Sequence, residues 1–158
     1  MELGLILVIA GAVMVMVISG IGASIGVSLA GQAAAGVMSE DPEKFGRMLP
    51  LIGIPGTQGF YGFIVGYLAL DKFSLVFKPT AIVPTLSQGI EILAICVAVS
   101  LVECISAVWQ GKVSVSSIYL VAKKPEQAGR ALVLPIFVEI YAILGLVAGW
   151  LLLSAIKV

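Results

Sequence analysis

One carboxylate stands inside an apolar run near the carboxyl end of the chain. Glu139 is the only charged residue of LPIFVEIYAILG, which spans residues 134–145. A second polar anomaly, PGTQGFYGF at 55–63, places Thr57 and Gln58 directly after a helix-breaking Pro-Gly pair. An ionisable residue at the centre of a membrane span costs about 2.5–3.5 kcal/mol and therefore indicates a function. We predict that the two anomalies form a single cation site.

Counting from two polar turns places four oxygen-bearing side chains at one depth. Glu139 and Gln110 are equally far in sequence from the turn at 124–125, the first after it and the second before it. In an antiparallel hairpin both are roughly 21 Å from the turn, at about 1.5 Å per residue. Thr57 and Gln58 are nearly as far from Pro42, in the first turn. All four side chains are therefore expected in one layer.

The polar residues of the second apolar segment are spaced so that they share one face of a helix, which supports a common layer. Ile54, Thr57, Gln58 and Tyr61 follow the spacing i, i+3, i+4, i+7, which is one stripe of a helix. Pro55 has no N–H and distorts the helix locally, which lets a backbone carbonyl turn toward a ligand. Irregular backbone at this depth is tolerated where it lines a site.

The candidate ligands are all oxygen atoms. Such ligands suit hard cations, whereas transition metals favour imidazole or thiolate. One carboxylate matches one monovalent charge, so Glu139 with Na⁺ would be neutral in the membrane. A structural role for the other polar residues stays open, because Thr57 can bond to its own helix and the glutamines can join helices.

Two further glutamates lie in apolar sequence. Glu103 precedes Gln110 by seven residues and is expected about 10 Å deeper on the same face. We interpret it as protonated and structural, with a second ion site as the alternative. Glu91 lies near the outer end of its helix and is interpreted as interfacial.

Composition assigns the chain to a bilayer. Of its 158 residues 60% are hydrophobic, 11% are charged and none is histidine. Soluble domains are about a quarter charged. The formal net charge is zero, which gives no indication of nucleic acid binding. The first segment has no basic start and is interpreted as a retained helix rather than a signal peptide.

Three polar breaks divide the chain into four apolar segments, at 39–47, 71–80 and 123–130. Each segment is long enough to span a membrane. DPEKFGR at 41–47 matches KPEQAGR at 124–130, which indicates a repeat. We predict an all-α membrane protein of four transmembrane helices, built as two repeated hairpins at 1–80 and 81–158, the second carrying the ion-binding carboxylate.

The distribution of basic residues orients the helices. Cytoplasmic loops carry an excess of Lys and Arg. The first and third breaks hold Lys44, Arg47, Lys123, Lys124 and Arg130, against Lys72, Lys78 and Lys157 on the other side. We predict a multi-pass protein of the cell membrane with cytoplasmic tight turns and both termini outside.

Small residues concentrate in the first helix. In lipid, such residues let helix backbones approach closely. This pattern indicates a tightly packed position, such as the inner wall of an oligomeric ring. The residues are Gly20, Gly22, Ser24, Gly26, Ser28, Ala30 and Gly31.

The doubled hairpin, with PGTQGFYGF in one half and LPIFVEIYAILG in the other, resembles the 16-kDa proteolipid or K subunit of V-type and A-type rotary ATPases. The resemblance covers essentially the whole chain and implies a membrane ring of identical subunits. It implies that Glu139 carries the coupling ion and that Tyr61 hydrogen-bonds this carboxylate and closes the site. The sodium-coupled branch is matched at Thr57, Gln58, Gln110 and the backbone carbonyl of Ile54.

The resemblance also implies a mechanism and partners. A central stalk would dock on the turns at 39–47 and 123–130, and the ring would rotate against a stator subunit that supplies an arginine. ATP hydrolysis or synthesis would occur elsewhere, because the chain has no GxxxxGK[ST] motif and is not expected to be catalytic alone.

Two alternatives remain. In a proton-coupled rotor, Glu139 would bind H⁺ and its polar neighbours would tune its proton affinity. A small secondary transporter built from two parallel repeats would need a cavity for an organic substrate, and the sequence shows no further charged or aromatic groups for one at this depth.

Overall fold

The computed structural model describes residues 2–76 and 82–158, and within these ranges it is entirely helical apart from turns and short connections. The helices are α1 (Glu2–Glu40), α2 (Phe45–Gly53), α3 (Thr57–Asp71), α4 (Leu86–Lys123) and α5 (Ala128–Ala155). Helices α2 and α3 continue one another and form a single stretch. The five helices therefore make four stretches that are long and apolar enough to cross a membrane. The predicted all-α fold with four spans is confirmed. The boundary predicted between 80 and 81, and Lys78, lie outside the described residues.

The two predicted tight turns lie at one end of the bundle. Each contains a short 3₁₀ helix that begins with proline, at Pro42–Lys44 and Pro125–Gln127. Lys44 Nζ lies 3.2 Å from Asp41 Oδ2 and donates to the carbonyl of Ala122 at 3.1 Å. This contact joins the first tight turn to the end of α4, which leads directly into the second tight turn. The two tight turns therefore lie on the same side of the bundle.

The opposite end of the bundle is held by different contacts. Thr85 caps α4 by accepting from the backbone N–H of Gln88 at 3.3 Å, while Gln88 Oε1 accepts from the N–H of Thr85 at 2.7 Å. Gln88 Nε2 also donates to the carbonyl of Lys157 at 2.8 Å. The start of α4 is thereby fixed beside the end of α5.

Helices α1 and α4 pack backbone against backbone. A Cβ atom added at Gly22 would lie 2.5 Å from the Cα of Cys104. A Cβ at Gly111 would lie 2.5 Å from the Cα of Gly26. The small residues of α1 therefore serve, in part, to let the backbone of α4 in the same chain approach closely, as small residues do between helices in lipid.

Two clusters of buried apolar side chains flank a polar layer. The cluster toward the turns includes Met48, Leu51, Ile118 and Ala131. The cluster toward the termini includes Val15, Val65, Val99 and Leu153. Buried polar side chains occur between them, so the candidate site has apolar packing on both sides along the membrane normal.

Candidate ion-binding site

Pro55 interrupts the second span at the predicted position. The residues Ile54–Gly56 form a 3₁₀ turn between α2 and α3. The N–H of Thr57 bonds to the carbonyl of Ile54, and α3 begins at Thr57. Thr57 and Gln58 therefore occupy the first turn of a new helix, inside the span rather than at its end.

Both carboxylate oxygens of Glu139 lie within hydrogen-bonding distance of hydroxyl groups on α3. Tyr61 Oη donates to Oε1 at 2.6 Å. Thr57 Oγ1 lies 2.8 and 2.9 Å from Oε1 and Oε2, and 2.9 Å from the carbonyl of Ile54. A hydroxyl has one proton, so Thr57 donates to one of these three oxygens at a time. Helix α3 thus contacts the carboxylate of α5 directly.

Two buried amides complete the contacts of the carboxylate. Gln110 Nε2 donates to Glu139 Oε2 at 2.7 Å, and Gln58 Nε2 lies 3.4 Å from the same oxygen. Gln58 Nε2 also donates to Gln110 Oε1 at 2.7 Å. Both glutamines are 0% exposed, and Glu139 is 9% exposed. The structure therefore brings together the four side chains that the depth argument placed in one layer.

The backbone carbonyl of Ile54 adjoins this cluster. It accepts from the N–H of Thr57 and lies 2.9 Å from the Thr57 hydroxyl, which also contacts Glu139. All six positions that the sequence analysis assigned to the ion site are therefore joined by one chain of hydrogen bonds. Thr57 and Tyr61 are part-exposed, so the cluster opens toward the outer surface of α3.

Two contacts were missed by the sequence analysis. Gln110 Nε2 also donates to the carbonyl of Pro135 at 2.9 Å, and Ser106 Oγ donates to the carbonyl of Val138 at 3.2 Å. Ser106 and Gln110 are four residues apart on α4, so they share a helix face. Two features of the sequence could have indicated these contacts. They are the i, i+4 spacing of Ser106 and Gln110 and the proline four residues before Glu139. These bonds hold α4 against the carboxylate-bearing part of α5.

The arrangement has the chemistry of a site for one monovalent cation. Glu139 is the only carboxylate in the hydrogen-bonded cluster, and its donors Thr57, Gln58, Tyr61 and Gln110 carry no charge. Neutral donors stabilise the ionised carboxylate but leave its charge of −1 in place. The cluster also supplies hydroxyl, amide and carbonyl oxygens, which are ligands for a hard cation.

The other two glutamates lie outside the cluster. Glu103 is 0% exposed, and neither of its carboxylate oxygens has a hydrogen-bond partner among the described residues. Glu91 is exposed near the start of α4 and accepts from Ser87 Oγ at 3.0 Å. The interfacial role of Glu91 stays a prediction.

Comparison with known proteins supports the resemblance. The family model for the C subunit of ATP synthase matches twice, at residues 10–69 and 93–152. Position 10 corresponds to position 93 in these matches, just as 41 corresponds to 124 in the two turn motifs. The repeat predicted from the turns is thereby confirmed.

Two relatives align over most of the chain. The V-type sodium ATPase subunit K of Enterococcus hirae is 38% identical over 136 residues, which cover 86% of this chain and 83% of the relative. The A-type ATP synthase subunit K of Methanocaldococcus jannaschii is 34% identical over 152 residues, which cover 96% of this chain and 64% of the relative. The chain belongs to the family of the ATP synthase C subunit, as a rotor-ring proteolipid.

Proposed function

We propose that this chain carries Na⁺ through the membrane as a rotor subunit of a V/A-type ATPase, with Glu139 as the ion-binding carboxylate. The observation that carries the proposal is the bonding of Glu139, which is nearly buried in the bundle and receives four neutral donors. The sodium specificity in the name of the Enterococcus relative supports the choice of ion.

The ligands that we assign to Na⁺ are oxygen atoms of the cluster. They are Glu139 Oε, Thr57 Oγ1, the amide oxygens of Gln58 and Gln110, and the carbonyl oxygen of Ile54. Each glutamine has its amide group within 3.4 Å of the carboxylate, and rotation of that group exchanges the nitrogen for the oxygen. An ion at the carboxylate would then meet amide oxygens in place of the N–H donors.

Charge neutralisation would couple ion binding to rotation. A charged side chain facing lipid is costly, and Na⁺ on Glu139 makes the site neutral. In this loaded form the rotor moves through the lipid phase. An arginine supplied by the stator subunit would stabilise the ion-free carboxylate and promote release. Moving one ion against 100 mV costs about 2.3 kcal/mol, which ATP hydrolysis in other subunits would supply, or which ion flow would deliver for synthesis.

Tyr61 and Thr57 would control access to the site. Both are part-exposed on α3 and both contact the carboxylate. Tyr61 donates to Glu139 at 2.6 Å and is more exposed than the buried carboxylate. Release of this bond would open the route from the surface of α3 to the carboxylate, so we assign Tyr61 the role of closing the loaded site.

The same proposal covers assembly and orientation. Identical copies form a ring, and the two hairpin units 1–80 and 81–158 act together without a catalytic site of their own. The turns at 39–47 and 123–130 face the cytoplasm and the central stalk. The contact of Lys44 with Ala122 supports a common side for both turns. The basic residues of these turns support the cytoplasm as that side.

A proton-coupled rotor is the second candidate. A carboxylate that binds Na⁺ also binds H⁺, and the name of the Methanocaldococcus relative specifies ATP synthase without an ion. In this case Thr57, Gln58 and Gln110 would adjust the proton affinity of Glu139 rather than coordinate a metal ion.

Labelling by a hydrophobic carbodiimide tests the proposal, because this reagent attacks protonated carboxyl groups. The purified oligomer is titrated with NaCl at fixed pH and ionic strength, and peptide mass spectrometry follows the modification of Glu139. We expect Na⁺ to protect at concentrations where K⁺ does not. The titration is repeated at several pH values. Labelling that changes with pH but not with Na⁺ would favour the proton-coupled rotor, and a Glu139 that never labels would contradict both candidates.

A further inference from the structure

Glu103 is an acidic side chain buried in the bundle that the ion site does not use. It is 0% exposed, and both its oxygens are buried without a hydrogen-bond partner among the described residues. Its Oε1 lies against α5 at Gly145, where an added Cβ would come within 3.1 Å of it. The glycine therefore provides the space that the carboxyl group of Glu103 occupies.

The carboxyl group of Glu103 lies in the layer next to the ion site. Glu103 precedes Gln110 by seven residues on α4, and Gly145 follows Glu139 by six residues on α5. Both counts give about 10 Å along the helix axis, on the side away from the tight turns. The two carboxyl groups are thus separated by roughly two helical turns inside one protein interior.

The contrast between the two carboxyl groups indicates their protonation. Glu139 accepts from hydroxyl and amide donors, which stabilise a negative charge. Glu103 has no such donors among the described residues, and an unpaired ionised carboxylate in a low-dielectric interior costs several kcal/mol. Binding a proton removes that cost.

We propose that Glu103 is a second proton-binding site of each subunit, which keeps its proton while Glu139 exchanges the transported ion. The ion count per subunit then stays at one, although two carboxyl groups lie within the membrane. This inference rests on the proposed function only in naming Na⁺ as the ion on Glu139.

The neighbouring groups define how such a proton would affect the ion site. Among the described residues, Glu139 on α5 and Tyr61 on α3 are ionisable groups on neighbouring helices that lie near enough to interact electrostatically with Glu103. Helix α1 has no titratable residue between Glu2 and Glu40, and the nearest one on α4 is Cys104. Loss of the proton would add a negative charge about 10 Å from Glu139 and would attract Na⁺ more strongly. Protons also compete with Na⁺ at Glu139, so we expect Na⁺ affinity to rise at alkaline pH in the native ring and to rise less in Glu103→Gln.

Infrared spectroscopy tests the proposal, because the carbonyl stretch of a protonated carboxylic acid is distinct from the bands of a carboxylate. Spectra of the Na⁺-saturated native ring at neutral pH are compared with those of Glu103→Gln, which is isosteric and neutral. Glu91→Gln is the matched control, since Glu91 is exposed on the same helix. We expect one acid band per subunit that is lost in Glu103→Gln and kept in Glu91→Gln. An unchanged spectrum in Glu103→Gln would overturn the proposal.

A second variant covers the case in which Glu103→Gln does not assemble. In Glu139→Gln the ion-site carboxylate is removed, so an acid band that remains supports protonated Glu103, and the absence of any acid band overturns it. The same variant separates the two proposals. If one of two native acid bands disappears in Glu139→Gln, the lost band belongs to a proton-coupled Glu139 and contradicts the sodium function, while the remaining band still supports protonated Glu103.

Discussion

Each polar residue of the candidate site contributes through a specific bond to one carboxylate. Thr57 reaches both oxygens of Glu139 from the first turn of α3, and Gln110 reaches it from α4. None of these donors is charged, so each can be replaced without leaving a new buried charge. Single substitutions at this scale should therefore change ion affinity while the ring still forms.

Thr57→Val removes the hydroxyl but keeps the shape of the side chain. A hydrogen bond to a charged group contributes about 1.5–3 kcal/mol, and each ~1.4 kcal/mol is a factor of ten in affinity. We expect the Na⁺ affinity of the purified ring to fall by roughly ten-fold or more. Ser116→Ala is the control, because Ser116 is exposed on α4 and bonds to its own helix at the carbonyl of Lys112. Equal affinities of Thr57→Val and the native ring would exclude Thr57 as a ligand.

Tyr61→Phe tests the closing role of the tyrosine. The change removes the donor that lies 2.6 Å from Glu139 Oε1 and leaves the ring of the side chain in place. We expect faster exchange of bound Na⁺, measured by dilution of a ring loaded with radioactive sodium. Tyr141→Phe is the matched control, since Tyr141 is exposed on α5 two residues after Glu139. If both variants release the ion at the native rate, Tyr61 does not close the site.

At the scale of elements, close packing of α1 on α4 keeps Gln110 at the height of the carboxylate. The backbones meet at Gly22 and Gly26 of α1, so that α4 is held by glycine contacts on one side. On its other side Gln110 and Ser106 bond to carbonyls of α5. Separation of α1 from α4 should therefore disturb both the stability of the bundle and the site.

Gly22→Ala tests this packing. The added Cβ would lie 2.5 Å from the Cα of Cys104, so the two backbones must move apart. Overpacking of this kind typically costs about 1–3 kcal/mol. We expect a lower thermal stability of the detergent-solubilised protein. Gly36→Ala is the control on the same helix, because the space around Gly36 is open, and it should keep native stability. Native stability of Gly22→Ala would contradict the close approach of α1 and α4.

Much of the arrangement of the helices could be predicted from the sequence, because it follows from helix geometry and from the chemistry of proline. Depth follows from a constant rise per residue, so Glu139 and Gln110 could be aligned by counting from one turn. Pro55 removes a backbone donor, so the 3₁₀ turn before Thr57 was expected as a distortion. The bond from Gln110 to Pro135 was not predicted, because it depends on the rotation of α4 against α5. The contact of Glu103 with Gly145 depends on the same rotation.

At the scale of the whole molecule, orientation in the membrane decides which side receives the ion. Both turns lie at one end, and the basic residues concentrated there predict a cytoplasmic location. At the opposite end, Lys72 Nζ donates to the carbonyl of Ser154, and the carbonyl of Lys157 accepts from Gln88. The two ends of the bundle therefore differ both in their contacts and in their basic residues.

Cysteine accessibility tests the orientation. Glu126→Cys places a thiol in the second turn, and Ser87→Cys places one at the start of α4, where Ser87 is exposed. In intact cells an impermeant maleimide should label Ser87→Cys and should label Glu126→Cys only after the membrane is opened. The native chain is the control, because Cys96 is buried and Cys104 lies inside a span. The reverse pattern would invert the proposed topology.

The central claim is that each subunit binds one Na⁺ at Glu139, and equilibrium binding of radioactive sodium to the purified ring tests it most directly. We predict saturable binding of one Na⁺ per subunit, abolished in Glu139→Gln and retained in Glu103→Gln. Absence of saturable binding in the native ring, or binding that survives Glu139→Gln, would contradict the claim. Two ions per subunit, with one lost in Glu103→Gln, would instead make Glu103 a second carrier and would contradict its assignment as a proton site.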